Sequence, residues 1–277
     1  MSDFLERMTA GSRERVTAAR VRESLPALLT RAAAAPAPLP LELAGFDLIA
    51  ELKLRSPAAG SLADAAFDPA RQIEAYAAGG AAAVSVLTEP LEFKGELAQL
   101  RTAAAALRPL GCPVMRKDFL VDAYQVVEAR ANGASGVLLI AALLDDAALD
   151  ELIDAAAGQG LFVLLEAFDA SDLERIARLK LPIGKIPILV GVNSRDLRTL
   201  AVDFARFAEL AGQIRDDVPA VAESGIASVE AIETVAERGY RLALVGSALM
   251  QDGDPGATVT RFIAAGRRAA VARNSCS

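Results

Sequence analysis

At Leu48-Ile49-Ala50-Glu51-Leu52-Lys53, an apolar run ends in an acidic and a basic side chain. Four later apolar runs also end in polar or charged residues, at 113–119, 162–166, 188–193 and 218–223. A buried unpaired charge costs several kcal/mol, so five such endings indicate a shared polar pocket rather than separate accidents. In a (β/α)8 barrel the parallel strands all finish at one face, and the active site is built there. The pattern therefore predicts such a barrel.

Strand-like runs and amphipathic helical stretches alternate from about Phe46 onward. The predicted strands lie near 46–53, 81–87, 113–117, 136–141, 161–166, 187–193, 218–223 and 242–246. The predicted helices lie near 69–79, 94–108, 122–132, 146–158, 170–179, 202–212, 227–238 and 256–273. Eight such units favour a closed α/β barrel of the TIM type over an open doubly wound sheet, which usually has fewer strands and a glycine-rich first turn.

The segment before the first strand is predicted to be helical. Apolar residues recur at helical spacing over 3–34, and three prolines between 36 and 40 then end the helix. We therefore expect a single domain in two parts, an N-terminal helical extension at 1–44 and the barrel at 45–277. The extension is expected to pack against the barrel or to cover one of its mouths.

The composition is acidic and rich in apolar residues. The 277 residues are 53% apolar, enough for a large core, and carry a formal net charge of −7. Such a chain is not expected to bind nucleic acid or an anionic membrane, although a local cationic cluster can hold a small anion. The longest apolar stretch, 136–144, is too short to span a bilayer, and residues 1–7 do not resemble a signal peptide. Two cysteines without a disulfide pattern are typical of a cytoplasmic protein.

The sequence contains no histidine. Proton transfer must therefore use Lys, Glu, Asp, Tyr or Cys, and a histidine-based triad or a histidine-ligated metal is excluded. The glycine motifs of dinucleotide sites and Walker-type phosphate sites are also missing from the sequence. The chemistry is therefore expected to depend on lysines and carboxylates.

Glu51 and Lys53 are two residues apart on a predicted strand, so their side chains point to the same face. They form an acid–base pair if that face lines the barrel mouth, and a surface ion pair if the strand lies at an edge. Lys117 ends the third predicted strand, where partial burial near other cations is expected to lower its pKa toward the range useful for proton donation. The same features suit a Schiff-base nucleophile. Arg116 and Asp118 face the other way and are expected to pair with flanking helices.

Three more polar residues, Glu166, Asn193 and Glu223, end apolar runs. Each one alone would be an ordinary strand-terminal residue, but on different strands of one barrel they point into a single site. Arg195 follows in a loop and is expected at the rim of that site. Its planar guanidinium can hold a carboxylate through two parallel hydrogen bonds.

Two turns rich in glycine and serine follow the last two predicted strands, at Ser224-Gly225 and Gly246-Ser247. In (β/α)8 barrels phosphate groups are commonly bound at this place, where small residues let the backbone approach closely. We therefore expect a substrate that carries a phosphate.

Several of these segments resemble the motifs of the indole-3-glycerol phosphate synthase family. Residues 49–57, which read IAELKLRSP, are similar to that family's first-strand signature. Residues 113–119, with the helix that follows, resemble its third-strand motif. Further similar segments follow in the same order, at 191–197, 222–226 and 245–250. The resemblance covers the chain from about Phe4 to Met250.

The resemblance implies a carboxy-lyase of tryptophan biosynthesis. It would convert 1-(2-carboxyphenylamino)-1-deoxyribulose 5-phosphate into indole-3-glycerol phosphate, with release of CO2 and water and without a metal or an organic cofactor. The implied catalytic residues are Glu51, Lys53, Lys117, Glu166, Asn193 and Glu223. The implied substrate- and phosphate-binding residues are Ser56, Phe119, Arg195, Leu197, Ser224, Gly225, Gly246 and Ser247.

The resemblance also implies individual roles. Lys117 would be the general acid of ring closure, and Lys53, Glu51 and Glu166 are candidates for the acid–base exchange of dehydration. Asn193 and Glu223 would orient the substrate. Phe119 and Leu197 would line the aromatic pocket, and Ser56 would help to hold the phosphate.

Other functions remain compatible with the sequence. A Schiff-base aldolase on the same fold would use Lys117 as its nucleophile, and a phosphoribosylanthranilate isomerase would need a cysteine such as Cys112 near the mouth. A catalytically silent barrel that acts as a scaffold would belong to another class, and a paralogue of the same family could serve a secondary pathway. An enzyme of this pathway is also expected to have neighbouring tryptophan-pathway enzymes as possible partners.

Overall fold

Eight parallel strands form a closed barrel, and helices are interspersed between them. The computed structural model of the chain describes residues 3–58, 60–62, 67–196 and 199–276, with side chains as far as Arg273. Each strand pairs in parallel with its neighbours along the sequence, and the last strand pairs with the first. The predicted (β/α)8 barrel is confirmed.

Strands and helices alternate along the chain in the predicted order. The strands are β1 (Asp47–Leu52), β2 (Ala83–Leu87), β3 (Val114–Lys117), β4 (Gly136–Ile140), β5 (Phe162–Ala167), β6 (Ile188–Asn193), β7 (Ala220–Glu223) and β8 (Leu242–Val245). The helices are α1 (Asp3–Arg22), α2 (Leu25–Ala34), α3 (Pro69–Ala78), α4 (Leu97–Leu107), α5 (Ala123–Ala131), α6 (Asp146–Gln159), α7 (Ala170–Arg178), α8 (Arg206–Leu210), α9 (Val229–Glu237), α10 (Ser247–Met250) and α11 (Pro255–Cys276). Among the described residues, no helix has the length and apolar character needed to cross a membrane.

The barrel strands are buried on both faces, because side chains fill the interior and helices cover the outside. Inside, Gly136 of β4 leaves room for the ring of Phe162 on β5, since a Cβ at Gly136 would overlap that ring. Outside, Gly266 of α11 makes the same allowance for the ring of Phe46. Close packing of this kind fixes the strands relative to each other and to the covering helices.

Strand register brings the polar strand ends to one rim of the barrel. Asn193 of β6 is paired with Glu223 of β7, and Glu166 of β5 is paired with Gly191 of β6. All eight strands run in the same direction, so their C-terminal ends surround one mouth. The alternation of side chains along each strand then directs these polar groups inward.

The N-terminal extension forms two helices where the apolar spacing over 3–34 predicts one, and that prediction is wrong. α1 ends at Arg22, and the Ser24 side chain caps α2 by accepting a hydrogen bond from the Ala27 N–H at 3.4 Å. Pro26 lies in the first turn of α2, where its missing N–H costs nothing, whereas a continuous helix would require that donor. The helix therefore breaks at Ser24. The boundary between residues 44 and 45 stays a prediction.

The predicted helix at 202–212 is also shorter than expected. Its first residues are instead held in a loop, because the Asp203 N–H donates to the Ser194 carbonyl at 2.9 Å. Arg195 and Val202 form an antiparallel bridge in the same loop. Within the predicted range, the helical residues are α8 and one 3-10 turn that follows it. Leu200 and Val202 of the preceding loop line the barrel mouth.

α1 packs against the rim of this mouth through polar contacts to the end of β3. The Ser12 hydroxyl donates to the Phe119 carbonyl, and Arg15 Nη2 donates to Asp118 Oδ1 at 2.7 Å. In the first turn of α1, the Phe4 ring meets the Phe119 ring edge to face at 5.9 Å. The extension therefore contributes directly to the mouth of the barrel.

A buried ionic network lies behind these contacts. The Asp118 carboxylate, fully buried, also accepts hydrogen bonds from Thr88 Oγ1 at 2.7 Å and from Arg116 Nη2 at 3.2 Å. Arg116 donates in turn to Glu128 on α5 at 2.9 Å. The prediction that Arg116 and Asp118 pair with flanking helices is confirmed. Asp118 joins α1, β3 and, through Arg116, α5.

We predict that Asp118→Ala lowers the free energy of unfolding by about 3–5 kcal/mol, because it removes a buried carboxylate from which Thr88 and Arg116 each lose a hydrogen bond and because it releases Arg15. Urea denaturation monitored by circular dichroism measures the change. Arg7→Ala serves as the control, since Arg7 is exposed and contacts Glu92 at 3.4 Å. The control is expected to cost less than about 1 kcal/mol. Equal effects of the two substitutions would contradict the assigned role of the network.

Candidate active site

The barrel mouth at the C-terminal ends of the strands encloses a cavity of about 240 Å³. The predicted site residues that the structure describes all line it: Glu51, Lys53, Ser56, Lys117, Phe119, Glu166, Asn193, Arg195, Glu223, Ser224, Gly225, Gly246 and Ser247. The remaining predicted residue, Leu197, lies outside the described residues. The structure thus brings the predicted set together at one cavity.

Glu51 and Lys53 form a buried ion pair at the end of β1. Lys53 Nζ lies 2.7 Å from Glu51 Oε1, and Glu51 is only 3% exposed. Burial alone would raise the pKa of Glu51, but the charges of Lys53 and then Lys117 outweigh burial and hold that pKa below its ordinary value. The alternative of a surface ion pair at an edge strand is therefore wrong. Glu51 is a carboxylate able to accept a proton or a hydrogen bond.

Lys117 lies between two further carboxylates in the cavity. Its Nζ is 3.0 Å from Glu166 Oε2 on β5 and 3.6 Å from Glu223 Oε2 on β7. Lys117 ends β3, so these three side chains come from three different strands. The cavity thus contains an ammonium group held from two sides.

The charge environment of Lys117 differs from the sequence-based expectation. Burial alone would lower the pKa of Lys117, which is the predicted direction. The carboxylates of Glu166, Glu223 and Glu51 together outweigh burial, so the pKa lies above the ordinary value of a lysine. The predicted lowering is wrong, because it counted the cations near Lys117 in sequence and not the acids brought near it by other strands. Lys117 is a firmly protonated ammonium group.

Glu223 has an unusual environment for a carboxyl group. Both of its carboxyl oxygens are buried, and neither accepts a hydrogen bond from any of the described residues. Burial and the charge of Glu166 raise the pKa of Glu223 well above its ordinary value, and Lys117 offsets only part of that rise. Gly191 gives this side chain its space, because a Cβ at Gly191 would overlap Glu223 Oε1.

Asn193 and Arg195 connect the end of β6 to its loop. The Asn193 side-chain oxygen accepts a hydrogen bond from the Arg195 N–H at 3.0 Å. The Arg195 guanidinium donates through Nη1 to the Leu200 carbonyl at 2.7 Å, and desolvation lowers its pKa. Arg195 lines the cavity, and its guanidinium is anchored to its own loop.

The turns after β7 and β8 form the part of the cavity wall between the ends of β6 and β1. Ser224 and Gly225 both adopt positive φ, +69° and +74°, so the chain reverses sharply behind Glu223. Gly246 packs against the pair at the end of β1, because an added Cβ would overlap the Glu51 carboxylate and lie 2.8 Å from Lys53 Nζ. Small residues here let the backbone approach the cavity closely.

An aromatic wall borders the cavity near α1. Phe93 and Phe119 lie with ring centroids 6.3 Å apart, and Phe4 packs on the other side of Phe119. Phe4 and Phe93 also line the cavity, although the sequence pattern predicts only Phe119 there. Phe93 follows a buried acid, Glu89, whose carboxylate accepts hydrogen bonds from the backbone of 91–93. That acid after a strand is the signal that could have identified the loop.

Cys112 lies at the opposite end of the barrel from this cavity. It precedes β3, is buried, and burial raises its thiol pKa to about 11. An isomerase-type cysteine at the mouth therefore finds no support. In the described parts of the chain, no group of three or more Cys, Asp or Glu side chains is arranged to hold a metal ion.

Comparison with known proteins gives a consistent result. The family model described as "Indole-3-glycerol phosphate synthase" matches residues 5–262. An indole-3-glycerol phosphate synthase of Nocardioides sp. is 48% identical over 226 residues, covering 81% of this chain and 83% of that protein. An indole-3-glycerol phosphate synthase of Arthrobacter sp. is 41% identical over 97% of this chain and 98% of its own length.

Among solved structures, 3-hexulose-6-phosphate synthase from Salmonella typhimurium is similar with a TM-score of 0.62 at 14% identity. The alignment covers 82% of this chain and 99% of that one. At this level of identity the likeness concerns the fold alone.

We predict that Gly191→Ala lowers the free energy of unfolding by about 1–3 kcal/mol, because the new methyl group overlaps the Glu223 carboxylate and lies 3.1 Å from Leu164 Cδ1. Urea denaturation measures the loss. Gly158→Ala is the matched control, since a Cβ at this exposed position in α6 meets nothing within 4 Å. The control is expected to stabilise by up to about 1 kcal/mol, because alanine favours helix. An unchanged stability of Gly191→Ala would contradict the tight fit.

Proposed function

The chain belongs to the indole-3-glycerol phosphate synthase family, and from that premise we propose how its side chains divide the work of the reaction. The activity is ring closure, decarboxylation and dehydration of 1-(2-carboxyphenylamino)-1-deoxyribulose 5-phosphate to indole-3-glycerol phosphate, a carboxy-lyase step of tryptophan biosynthesis. The position of the Lys117 ammonium, between Glu166 and Glu223 in the cavity, carries the assignment of roles.

Ring closure requires a ketone that is made more electrophilic. The aromatic carbon that bears the carboxylate attacks this ketone, and negative charge develops on the ketone oxygen. The Lys117 ammonium donates a hydrogen bond and then a proton to that oxygen, which becomes a hydroxyl group. A firmly protonated lysine suits this role because an alkoxide is more basic than an amine. Loss of CO2 then restores the aromatic ring.

Dehydration requires a proton for the leaving hydroxyl group and a base for the proton released from the ring system. Lys53 is the proposed donor, because its ammonium lies in the cavity 2.7 Å from Glu51. Glu51 and Glu166 are the proposed acceptors, since each is paired with a lysine. The proton taken up by the acceptor returns to Lys53, and solvent replaces the proton that Lys117 gave to the ketone oxygen, because release of CO2 from a carboxylate consumes one proton overall. Asn193 is proposed to orient the substrate.

The two anionic groups of the substrate need separate partners at the mouth. We assign the phosphate to the small-residue turns at Ser224-Gly225 and Gly246-Ser247, with Ser56 beside them, because backbone N–H groups can approach an anion there. We assign the carboxylate to Arg195 and Lys53. The phenyl ring is assigned to the wall that contains Phe119.

We predict that Lys117→Ala lowers kcat by about 10²–10⁴-fold, the usual contribution of a general acid. Indole fluorescence after addition of the substrate measures turnover, and the chain has no tryptophan to add background. Lys185→Ala is the control, because Lys185 is exposed and lies outside the cavity. A variant with more than about a tenth of the activity would rule out Lys117 as the acid.

Borohydride trapping separates the aldolase alternative from the lyase mechanism. A protonated ammonium is not a nucleophile, so borohydride with substrate is expected to leave Lys117 unlabelled in the wild-type protein. Covalent labelling of Lys117 would instead favour a Schiff base.

We predict that Ser247→Asp raises KM for the substrate at least about tenfold, or about 1.4 kcal/mol, because a negative side chain repels the phosphate. Steady-state kinetics and competitive inhibition by inorganic phosphate measure the effect. Ser228→Asp is the matched control: Ser228 is the exposed N-cap of α9, and aspartate also caps helices well. An unchanged KM in Ser247→Asp would move the phosphate site elsewhere.

We also propose a cytoplasmic location and contacts with neighbouring enzymes of tryptophan biosynthesis. The biosynthetic role of the family and the free, buried thiol of Cys112 support the location. Cell fractionation tests the location, and cross-linking in cells tests the contacts.

A further inference from the structure

Three carboxyl groups surround the Lys117 ammonium, and they are not equally compensated. Glu51 is paired with Lys53 at 2.7 Å, and Glu166 is paired with Lys117 at 3.0 Å. Glu223 lies 3.6 Å from Lys117, beyond hydrogen-bond distance, and is 1% exposed. Two lysines therefore face three acids, and Glu223 shares the Lys117 ammonium with the closer Glu166.

The neighbouring strands supply no other compensation. Glu223 is paired in register with Asn193, which is neutral, and with Leu244, which is apolar. Gly191 packs against its carboxyl group. Among the described residues, the one other cation that lines the cavity is Arg195, which donates to a carbonyl of its own loop. An ionised Glu223 would thus be a buried charge without an adequate partner, which costs several kcal/mol.

The hydrogen bonding of Glu223 gives an independent indication. If Glu223 and Glu166 are both ionised, neither can donate a hydrogen bond to the other. Both Glu223 oxygens are then without hydrogen-bond partners among the described residues. Glu166 and Glu223 flank the same ammonium group, with carboxylate oxygens 3.0 Å and 3.6 Å from Lys117 Nζ. A proton on Glu223 supplies the missing donor and satisfies the buried group, as two neighbouring acids commonly do when they share one proton.

We propose that Glu223 is a neutral carboxylic acid in the resting protein and shares one proton with Glu166 beside Lys117. The raised pKa of Glu223 is consistent with this state. The proton limits the negative charge around the ammonium. Loss of that proton places a second negative charge beside Lys117 and makes it a weaker acid. This catalytic consequence rests on the proposed function, whereas the protonation state does not.

Infrared difference spectroscopy of the ligand-free protein tests the protonation state directly. The wild-type spectrum is expected to contain the carbonyl band of a protonated carboxylic acid near neutral pH, and Glu223→Gln is expected to remove it. Glu51→Gln is the matched control: it is the same substitution in the same cavity, and the band should persist. A wild-type spectrum without the band, or a band unchanged in Glu223→Gln, would overturn the proposal.

The pH dependence of stability is a second test and uses the same two variants. The folded-state pKa of Glu223 is raised, so its contribution to stability is present below the unfolded pKa and is lost as pH rises through the folded value. The glutamine in Glu223→Gln cannot ionise. The melting temperature of this variant, relative to that of the wild type, should therefore increase as pH rises from about 5 to about 9. The folded-state pKa of Glu51 is lowered, so Glu51→Gln should be less stable than the wild type at neutral pH and approach it in acid. If the melting temperatures of the two variants changed with pH in the same way, the assignment of a neutral Glu223 would be contradicted.

The kinetic consequence is measured separately. Wild-type kcat/KM is expected to fall about tenfold per pH unit above the pKa of Glu223, and Glu223→Gln is expected to lack this fall. If the band and the stability curves behave as expected but the wild-type protein shows no turnover, the proposed function fails and the shared proton stands. If turnover is present and the band is absent, the proposed function stands and the shared proton is refuted.

Discussion

The structure depends on one constraint, that the charges buried in the barrel mouth need partners of opposite charge, and for Lys117 these partners lie on other strands. Lys117 on β3 is held by acids on β5 and β7, and no single segment of the chain contains this arrangement. Only the closed barrel, with all strands pointing the same way, brings these groups together. The charges that favour catalysis are therefore tolerated because the fold supplies their partners.

Strand β3 separates two polar environments of opposite character. On its outer side, Asp118 is saturated by donors from Arg15, Arg116 and Thr88. On its inner side, Lys117 faces acids that outnumber it. Because side chains alternate along a strand, the rigid outer network fixes the backbone from which Lys117 extends. The fully hydrogen-bonded network around Asp118 on one face of the strand can thus keep Lys117 in place on the other face, where the charges are only partly balanced.

The sequence predicts the barrel and its strand ends well, because hydrophobic alternation and polar strand termini are local patterns. It predicts the direction of the Lys117 pKa shift wrongly, since that direction depends on Glu166 and Glu223, which are distant in sequence. Apolar spacing does not predict the break between the two N-terminal helices at Ser24, because a capping serine and a proline leave that spacing unchanged. Phe4 belongs to the cavity only because α1 folds back over β3, which periodicity cannot indicate.

The raised pKa of Lys117 and that of Glu223 are two results of the same crowding. Each acid added near the ammonium makes the lysine hold its proton more firmly, and each also makes the next acid harder to ionise. A site without Glu51 or Glu166 would leave the lysine more acidic but would lose one of the bases proposed for dehydration. A proton held by Glu223 reconciles these demands, because the group remains available for hydrogen bonding while its charge is withheld from Lys117.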